Sequence, residues 1–487
     1  MRQENQQRLR RICIAALLGY LLIAVLFYVV GGEQLQYKIW LTEGVTPSEP
    51  VGELLAGTEL AQPFTADGNE LTAVQLQIST YARKNTCHLK LEIESTGGKS
   101  IGTATISAEE LEDNSICRIS FEQPVQVIKG ERYLLRLTSP DGTAGNAVTV
   151  WRGNTMPAAR YDVAVAIPTE DQLQRNGQPV EGMLQFQLEE KESFWFGHAY
   201  WYLVAACGAV LVFYSIWTCR MEKRGRMTLL LRAMLMWERY GYLMKQLVQR
   251  DFKTKYKRSV LGMCWSFLNP LLTMLVQYVV FSTLFKSDIP NFALYLLTGI
   301  VCFNFFTEST TMALQSIVGN ASLITKVYVP KYIYPVSRVL SLSINLVLSL
   351  IPLAVVMIFT GTAFRPAILL LPFGLGCLLI FSLAMGFLLS TAMVFFRDTQ
   401  FLWGVVSMMW NYLTPIFYPE SIIPSGLMPL YKCNPMYHIV RFIRTILISG
   451  VSPEPKAYLY CLLVTLLPLA IGILVFKKNQ DKFILHL

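Results

Sequence analysis

The chain has 487 residues, of which 53% are hydrophobic and 15% are charged. Soluble proteins carry about 25% charged residues, so this composition excludes a soluble enzyme or a soluble binding module and indicates an integral membrane protein. The formal net charge is +9. Its basic residues flank the predicted membrane segments, as expected for membrane topology, which explains the charge without a nucleic-acid partner.

Eight stretches of the chain are long enough to cross a bilayer and, with one exception, contain no Asp, Glu, Lys or Arg. A spanning helix needs about 20 predominantly apolar residues. The stretches are residues 12–32, 193–219, 262–285, 292–318, 339–364, 366–396, 399–419 and 457–476. The exception is Glu308, in the fourth stretch. The sequence therefore predicts an α-helical polytopic membrane protein with about eight spans.

The first region, residues 1–32, is predicted to be a cytoplasmic N-terminus followed by the first span. Its uncharged run exceeds the apolar core of a signal peptide, which is about 7–15 residues long, and no small-x-small cleavage site follows it. We therefore expect a retained anchor. Residues 220–261 contain 12 Lys or Arg against 3 Asp or Glu, and both termini are also basic. By the positive-inside rule these three regions are cytoplasmic, which places residues 33–192 outside.

Residues 33–192 are predicted to form an inserted all-β sandwich. Apolar and polar residues alternate over residues 74–79, 89–94 and 184–189, which is the pattern of strands with one buried face. Turn signals such as Gly97-Gly98 and Asn176-Gly177 separate these runs. The second span, residues 193–219, follows the domain, so it is anchored to the membrane at both ends.

Two kinds of candidate site lie in this β domain. Four aromatic residues are candidate stacking platforms for sugars, although a tryptophan in a β-sandwich also commonly belongs to the core. They are Trp40, Tyr81, Trp151 and Tyr161. Cys87 and Cys117 share the domain, where either a disulfide or two free thiols fits the sequence. The ten cysteines of the chain show no metal-ligand spacing, so no metal site is predicted.

The sequence predicts no ATP-hydrolysing site on this chain. Gly98-Lys99-Ser100 resembles the end of a phosphate-binding loop, but Ile93 stands where the loop requires a glycine. The segment also lies in a predicted hairpin outside the membrane. The sequence contains no recognisable catalytic triad, metal cluster or carboxylate pair. We therefore expect a chain that is not an enzyme and carries no cofactor of its own.

The cytoplasmic linker, residues 220–261, is predicted to contain an amphipathic helix over residues 228–249 that lies in the inner membrane interface. Residues 250–258 follow with five basic side chains, which favour contact with anionic membrane lipids. The predicted cytoplasmic entry residues are Arg250, Asp251, Lys253, Tyr256 and Trp265.

Five ordered motifs extend from this linker to the C-terminal region. The first combines Arg250-Asp251, Lys253, Tyr256, Ser259, Leu261-Gly262, Trp265, Leu268 and Pro270. The second combines Asn320-Ala321, Leu323, Lys326-Val327-Tyr328, Pro330 and Pro335. The remaining three are Phe396-Arg397-Asp398, residues 414–419 (TPIFYP), and Asn434-Pro435 with Arg441. Residues 228–487 thereby resemble the permease subunits of type-2 ATP-binding cassette exporters, in the branch that exports polysaccharides, O antigens and teichoic acids.

This resemblance implies a homodimer of six-span permease units, residues 262–487, with two copies of a separate cytoplasmic ATPase subunit that carries ATP and Mg²⁺. The family's coupling helix, which receives force from the ATPase, falls on residues 320–331. The coupling residues so implied are Asn320, Leu323, Lys326, Val327, Tyr328, Pro330 and Lys331. We expect Leu323, Val327 and Tyr328 to fill a cleft of the ATPase, and Lys326 and Lys331 to pair with its acidic groups.

Aromatic residues are unusually frequent in the permease spans. Rings at span ends, such as Trp265 and Trp403, fit an interfacial belt, whereas deeper rings fit either helix packing or a path along which sugars slide. The candidate path residues are Tyr278, Phe281, Phe305, Phe306, Glu308, Trp403, Trp410 and Tyr412. Glu308 is expected to face the interior, water or a partner such as Asn304 or Thr307, either in the path or as a neutral structural acid.

The loop between residues 420 and 456 is predicted to lie outside, and residues 437–444 show a basic and an apolar face at helical spacing. The resemblance implies short re-entrant helices here that close the outer end of the path. Arg441 and Arg444 are candidate outer-gate residues, because basic residues outside call for a specific partner such as a substrate phosphate or a lipid head group.

Together these features predict a permease of a bacterial cell membrane that exports a lipid-linked polysaccharide or teichoic-acid-type polymer. Two alternatives remain open from sequence. One is a related permease for a small amphiphile or drug. The other is a membrane-anchored scaffold or sensor whose β domain binds glycan. Residues 1–227 lie outside the resemblance, so the β domain fits polymer binding, recruitment of a wall-assembly enzyme, or regulation of exit.

Overall fold

A computed structural model describes residues 2–42, 44–45, 47–154, 171–224, 226–256, 262–285, 291–327 and 329–486. The chain forms two compact units, of which one contains Leu35–His198 and the other contains Met1–Gln34 and Ala199–Leu487. We call them the β unit and the helical unit. Tyr161 and Tyr328, two residues singled out by the sequence, lie outside the described residues. The side chain of Tyr256 is also not described.

The β unit consists of two antiparallel sheets. Its strands are β1 (Tyr37–Leu41), β2 (Glu49–Pro50), β3 (Glu59–Thr65), β4 (Glu70–Ser79), β5 (His88–Ser95), β6 (Ser100–Ser107), β7 (Ser115–Gln126), β8 (Arg132–Thr138), β9 (Thr149–Gly153), β10 (Leu173–Arg175), β11 (Gln178–Val180), β12 (Met183–Leu184) and β13 (Phe186–Ser193). One sheet has the order β1-β13-β4-β9-β12, with β7 also paired to β4 and β2 to β9. The other has the order β11-β10-β3-β8-β5-β6.

The alternation seen in the sequence becomes the core between these sheets. Leu89, Leu91 and Ile93 of β5 are fully buried, as are Leu135 and Leu137 of the neighbouring β8. Each strand presents these residues to one face because successive side chains point to opposite sides of a sheet. The predicted all-β sandwich is confirmed.

The predicted turn at Asn176-Gly177 requires residues that tolerate a positive φ angle. Asn176 and Gly177 connect β10 to β11 with φ angles of 50° and 76°. Asn and Gly tolerate this left-handed region better than other residues do, which makes Asn-Gly a characteristic two-residue hairpin turn.

The structure does not support the alternative of a disulfide between Cys87 and Cys117, because both are free thiols. Cys87 is buried immediately before β5, in the six-stranded sheet, whereas Cys117 lies on β7 of the other sheet, opposite Leu76. Burial raises the pKa of both thiols, so neither is activated as a thiolate.

The remaining regular elements of the chain are helices, most of them in the helical unit. The helices are α1 (Arg2–Gly31), α2 (Glu33–Gln36), α3 (Trp195–Lys223), α4 (Leu229–Tyr256), α5 (Trp265–Phe285), α6 (Phe292–Leu314), α7 (Ala321–Lys326), α8 (Ile333–Leu348), α9 (Leu350–Phe359), α10 (Leu371–Phe395), α11 (Thr399–Leu413), α12 (Met428–Lys432), α13 (Pro435–Arg444), α14 (Pro455–Asn479) and α15 (Phe483–His486).

Seven helical segments in the described part of the chain are long and apolar enough to span a membrane. They are Gln6–Gly31, Trp195–Lys223, Gly262–Ser282, Phe292–Leu314, Ile333–Phe359, Pro366–Phe395 and Pro455–His486. The predicted span at residues 399–419 is wrong in length, because its helix, α11, has 15 residues. Thr414 has an extended backbone before Pro415, and a residue that precedes proline is disfavoured in the helical conformation.

The core of the helical unit forms around α6, which is the most buried of the candidate spans. The two helices α10 and α14 approach closely at Gly472, where an added Cβ would lie 2.7 Å from the carbonyl oxygen of Ala384. Helix α13 is also buried, with Met436, Ile439 and Phe442 almost fully enclosed. A ten-residue helix is therefore part of the core of the span bundle.

Candidate functional site

The predicted amphipathic helix and the basic stretch after it form one continuous helix, α4. Leu231 and Leu247 are buried, whereas Trp237 and Tyr242 are more than half exposed. Lys253 is exposed. This helix brings its C-terminal residues beside α6 and α8.

Asp251 joins α4 to α8 through a buried ion pair. Its Oδ1 lies 3.0 Å from Nη2 of Arg250 and 3.1 Å from Nη1 of Arg338, and its side chain is 4% exposed. Sequence reasoning selected Arg250 and Asp251 but missed Arg338. The sequence feature that could have identified Arg338 is its position directly before the uncharged run that begins at residue 339, because a cation at the end of a span can remain near water.

The coupling segment consists of a short 3₁₀ turn, Val318–Asn320, followed by α7. Ile324 is buried, whereas Lys326 and Val327 are exposed, and Val327 is 50% exposed. Pro330 is half-buried. The exposed face available to a partner is therefore narrower than the motif suggested.

Three of the predicted coupling residues point into the protein. Asn320 is buried, and its Nδ2 donates to the carbonyl oxygen of Ser316 at 2.8 Å. Leu323 packs partly buried against a cluster that includes Ile317 and Phe483. Lys331 donates to the carbonyl oxygen of Gln480 at 2.5 Å, and its expected pairing with an ATPase carboxylate stays a prediction.

Glu308 forms an ion pair with Lys255 near the C-terminal end of α6. Its side chain is 44% exposed, which agrees with the alternatives of water or a partner, but the partner is Lys255 rather than Asn304 or Thr307. The pair lines two cavities. One, of about 430 Å³, is bounded by α5, α6 and the α8 to α9 segment; the other, of about 530 Å³, reaches Asn320 and Arg338. Sequence reasoning missed Lys255 as the partner, because 53 residues separate it from Glu308.

Several predicted path residues form an aromatic cluster inside the helical unit. Phe306 packs on Trp403 and Trp410 at centroid distances of 6.0 and 5.4 Å, and it stacks on Phe381 at 5.2 Å. Phe305, Phe306 and Trp403 are each at most 5% exposed. Helix packing therefore accounts for Phe306 and Trp403, and the belt interpretation of Trp403 is wrong.

The other predicted path residues have different surroundings. Phe305 borders the 430 Å³ cavity despite its burial. Phe281 stacks on Phe417 with a centroid distance of 5.5 Å. Tyr278 and Tyr412 are 39% and 64% exposed. The structure thus separates the predicted path residues into packed rings, a cavity-lining ring and exposed rings.

The two predicted gate arginines bind the protein itself. Arg444 is buried and donates to the carbonyl oxygens of Tyr295, Pro415 and Ile416 at 2.5–3.3 Å. Its guanidinium also lies 3.4 Å from the centroid of the Tyr295 ring. Gly299 leaves the space for this guanidinium, since a Cβ there would lie 2.8 Å from Nη2. The expected phosphate or lipid partner of Arg444 is therefore corrected to backbone carbonyls.

Arg441 remains 59% exposed and is placed near Glu420, with Nε 3.6 Å from Oε1. Its Nη1 donates to the hydroxyl of Tyr437 at 3.1 Å. Arg441 thus has a carboxylate of the chain nearby, and the expected phosphate or lipid partner of this exposed side chain stays a prediction.

The aromatic candidates of the β unit do not form one platform. Trp40 lies on β1 and Trp151 on β9, with β13 and β4 between them, which separates their strands by about 14 Å at about 4.8 Å per strand. Lys38 lies 4.8 Å from the Trp40 ring centroid, and the indole of Trp151 donates to Asn114. Tyr81 is 39% exposed, with Arg83 at 4.8 Å from its ring.

A buried acid lies beside Trp40. Both carboxylate oxygens of Glu190 accept hydrogen bonds from the backbone amide of Asp67, at 3.0 and 3.1 Å. Burial raises the pKa of Glu190 to about 7, and the hydrogen bonds to backbone amides oppose this shift.

Comparison with known proteins decides the family. Residues 242–448 match the ABC-2 type transporter family. Over 251 residues the chain is 31% identical to the O-antigen export system permease protein RfbA of Klebsiella pneumoniae. The alignment covers 50% of this chain and 95% of that protein. The chain belongs to the ABC-2 type transporter family.

Further ABC-2 relatives agree with this assignment. The O-antigen export system permease protein RfbA of Myxococcus xanthus is 30% identical over 250 residues, covering 50% of this chain and 95% of that protein. The polysialic acid transport protein KpsM of Escherichia coli is 22% identical over 235 residues, and the alignment covers 48% of this chain and 91% of that protein.

The ABC-2 assignment covers the second half of α4, the coupling segment and the helices to the end of α13. The predicted family and its multi-pass membrane architecture are thereby confirmed. Permeases of this family work with an ATPase subunit, so an ATPase partner follows from membership. The matched region excludes the β unit, whose role has to be inferred from its own residues.

Proposed function

We propose that this chain is the permease subunit of an ATP-driven exporter that moves a lipid-linked polysaccharide out of the cytoplasm through a bacterial cell membrane. The observation that carries the proposal is the similarity of half the chain to nearly the full length of permeases named for O-antigen and polysialic acid transport.

The proposed complex contains two copies of this chain and two copies of a cytoplasmic ATPase. ATP and Mg²⁺ bind the ATPase subunits, since the sequence here has no complete phosphate-binding loop. The exposed Lys326 and Val327 at the end of α7 offer the contact surface, and the adjoining Tyr328 is expected to extend it. A short, rigid helix of this kind suits transmission of a movement.

Helix α11 supports the proposed homodimer. Seven of its side chains are large, apolar and exposed in the single chain. They are Phe401, Leu402, Val405, Val406, Met408, Met409 and Leu413. At 15 residues, about 22 Å, α11 is shorter than the roughly 30 Å hydrocarbon layer. We infer that a second copy covers part of this surface, and that Tyr278 and Tyr412 face the shared path.

The β unit is proposed to lie outside the cell membrane and to contact the emerging polymer. Tyr81 is its best candidate contact, because its ring is more than one-third exposed and sugars stack on aromatic faces. The sequence alternatives of a small-amphiphile permease and of a sensor or scaffold are less well supported, because this chain matches 95% of the length of two permeases that are named for O-antigen export.

Deletion of the gene from its host tests this proposal. We expect loss of one surface polysaccharide and accumulation of the corresponding lipid-linked polymer in the cytoplasmic leaflet, measured by cell fractionation and glycan immunoblotting. Re-expression of the full chain should restore the surface polymer. Unchanged surface glycans, with altered efflux of a small amphiphile instead, would contradict the polysaccharide assignment.

A further inference from the structure

Polar side chains from several helices line part of the 430 Å³ cavity of the helical unit. Three helical segments each contribute two residues spaced four apart, so both members of each pair lie on the same helix face. The pairs are Trp265 and Asn269 on α5, Asn304 and Glu308 on α6, and Asn345 and Ser349 where α8 ends. Polar groups are costly in the membrane and usually mark a functional site there.

A seventh residue, Lys255, extends from the last turn of α4 to the same cavity and pairs with Glu308. The side chains of Lys255 and Glu308 are 33% and 44% exposed, so the ion pair is open to a competing ligand. The hydroxyl of Thr307 also lines the cavity, and among the described residues its oxygen is buried without a hydrogen-bond partner.

We propose that this cavity binds the sugar-phosphate head of the substrate. In the bound state Lys255 exchanges the Glu308 carboxylate for a phosphate oxygen, while the Trp265 ring and the amide of Asn269 contact the first sugar. This proposal rests on the function proposed above and assigns a substrate site within it. The cavity volume falls in the range of about 300–1,000 Å³ that is usual for small-molecule sites.

Charge supports an anionic ligand at this position. The adjoining 530 Å³ cavity shares Lys255 and Glu308 and adds Arg250, Asp251 and Arg338. Asp251 is held between its two arginines, so Lys255 is the cation whose partner lies across the cavity mouth. A phosphate has a higher charge density than a carboxylate and forms strong charge-assisted bonds with ammonium groups. Glu308 therefore acts as a competitor that the substrate displaces.

Binding to the full-length protein in lipid nanodiscs tests the exchange. The probes are a radiolabelled polyprenyl diphosphate that carries one N-acetylglucosamine, the same lipid without the sugar, and inorganic pyrophosphate. We expect Lys255→Gln to weaken binding of both lipids about tenfold or more, as loss of one charge-assisted bond predicts. We expect Glu308→Gln to strengthen binding of both lipids, because it removes the competitor.

The opposite directions of these two effects distinguish ligand exchange from a structural ion pair. Lys245→Gln is the matched control, since it removes the same charge from the same helix at an exposed position that lines neither cavity. Asn269→Ala should abolish only the difference in affinity between the two lipids. Thermal unfolding of each variant identifies any loss of fold, and Lys255→Arg retains the charge if Lys255→Gln proves unstable.

Each outcome decides the assignment. Equal binding of inorganic pyrophosphate and the sugar-free lipid would support a phosphate site but assign it to soluble phosphates rather than to a lipid head. Unchanged or equally weakened lipid binding in Lys255→Gln and Glu308→Gln would overturn the proposal. If Lys255→Gln also still restored surface polysaccharide to the deletion strain, the export function would stand while the cavity assignment failed.

Discussion

Two regions of α6 treat charged side chains in contrasting ways. Near its start, Arg444 of α13 is buried against Tyr295, and three backbone carbonyls satisfy it. Thirteen residues later, about 20 Å along the helix, Glu308 and Lys255 face open cavities. The first region uses its charge to hold the fold together, whereas the second places an ion pair at the edge of two cavities. The contrast teaches that a charge in a span is a stronger indication of function when a ligand can reach its ion pair than when the charge is enclosed by backbone carbonyls.

The largest effect should follow loss of the buried charge. Arg444→Met removes the guanidinium that donates to three carbonyl oxygens, of which that of Pro415 retains the Tyr295 hydroxyl as a donor. Each buried group left unsatisfied costs about 1–3 kcal/mol. We expect the free energy of unfolding to fall by about 3–5 kcal/mol, measured by thermal unfolding in detergent. Arg441→Met is the matched control, because that side chain is 59% exposed, and it should cost less than about 1 kcal/mol. Equal losses would remove the contrast.

An intermediate effect is expected at the buried pair that joins α4 to α8. Arg338→Gln leaves Asp251 with Arg250 alone, and we expect a loss of about 1–3 kcal/mol. Adding Asp251→Asn should recover part of this loss, since the buried charge is then removed as well. A double-mutant cycle in chemical unfolding measures the coupling. Strictly additive losses would show that the two side chains do not interact.

The β unit also contains a buried ionisable side chain, and its burial should make the stability of the protein depend on pH. Its buried Glu190 has a pKa of about 7, above the ordinary value near 4.5, so the native state holds a proton that the unfolded state releases. Stability should therefore decrease as pH rises from about 4.5 to 7. Glu190→Gln should remove this decrease and stabilise the protein at pH 8 by about 1–2 kcal/mol, with little change at pH 4. Unfolding of the full chain at several pH values measures the effect, and identical profiles would contradict it.

The smallest effect on stability should come from the open pair. Lys255→Gln should change the free energy of unfolding by less than about 1 kcal/mol, because exposed ion pairs contribute little. The same variant should nevertheless reduce export in the deletion strain, measured as surface polysaccharide. A fall of several kcal/mol in the free energy of unfolding would show that this pair is structural, like Arg444, and would contradict the assignment of the cavity.

Sequence alone predicted the parts of the fold that depend on local patterns. Alternating residues located β4 and β5, and uncharged runs located seven of the spanning segments. The length of α11 was missed because the run of uncharged residues continues past Thr414, although Pro415 already ends the helix. An absence of charge reports compatibility with a membrane, but it does not report backbone conformation.

The site was less predictable because its contacts are distant in sequence. Lys255 and Glu308 are 53 residues apart, and Arg444 donates to a carbonyl 149 residues away. The motif located the coupling segment, but only the structure showed that Asn320 and Lys331 are occupied by internal hydrogen bonds. Sequence spacing identifies which residues share a helix face, whereas the contacts of that face depend on which other elements the fold packs against it.

The most direct test of the account is copurification of the ATPase with this chain from its native membrane. We expect a separate ATPase with a phosphate-binding loop at an equimolar ratio, and its loss on Val327→Glu, which places a charge on the exposed face of the coupling segment. Phe364→Glu is the control, since it changes another exposed apolar residue, in the loop after α9, and should retain the ATPase. Absence of any such ATPase, or an unchanged ratio with Val327→Glu, would contradict the assignment of the coupling segment.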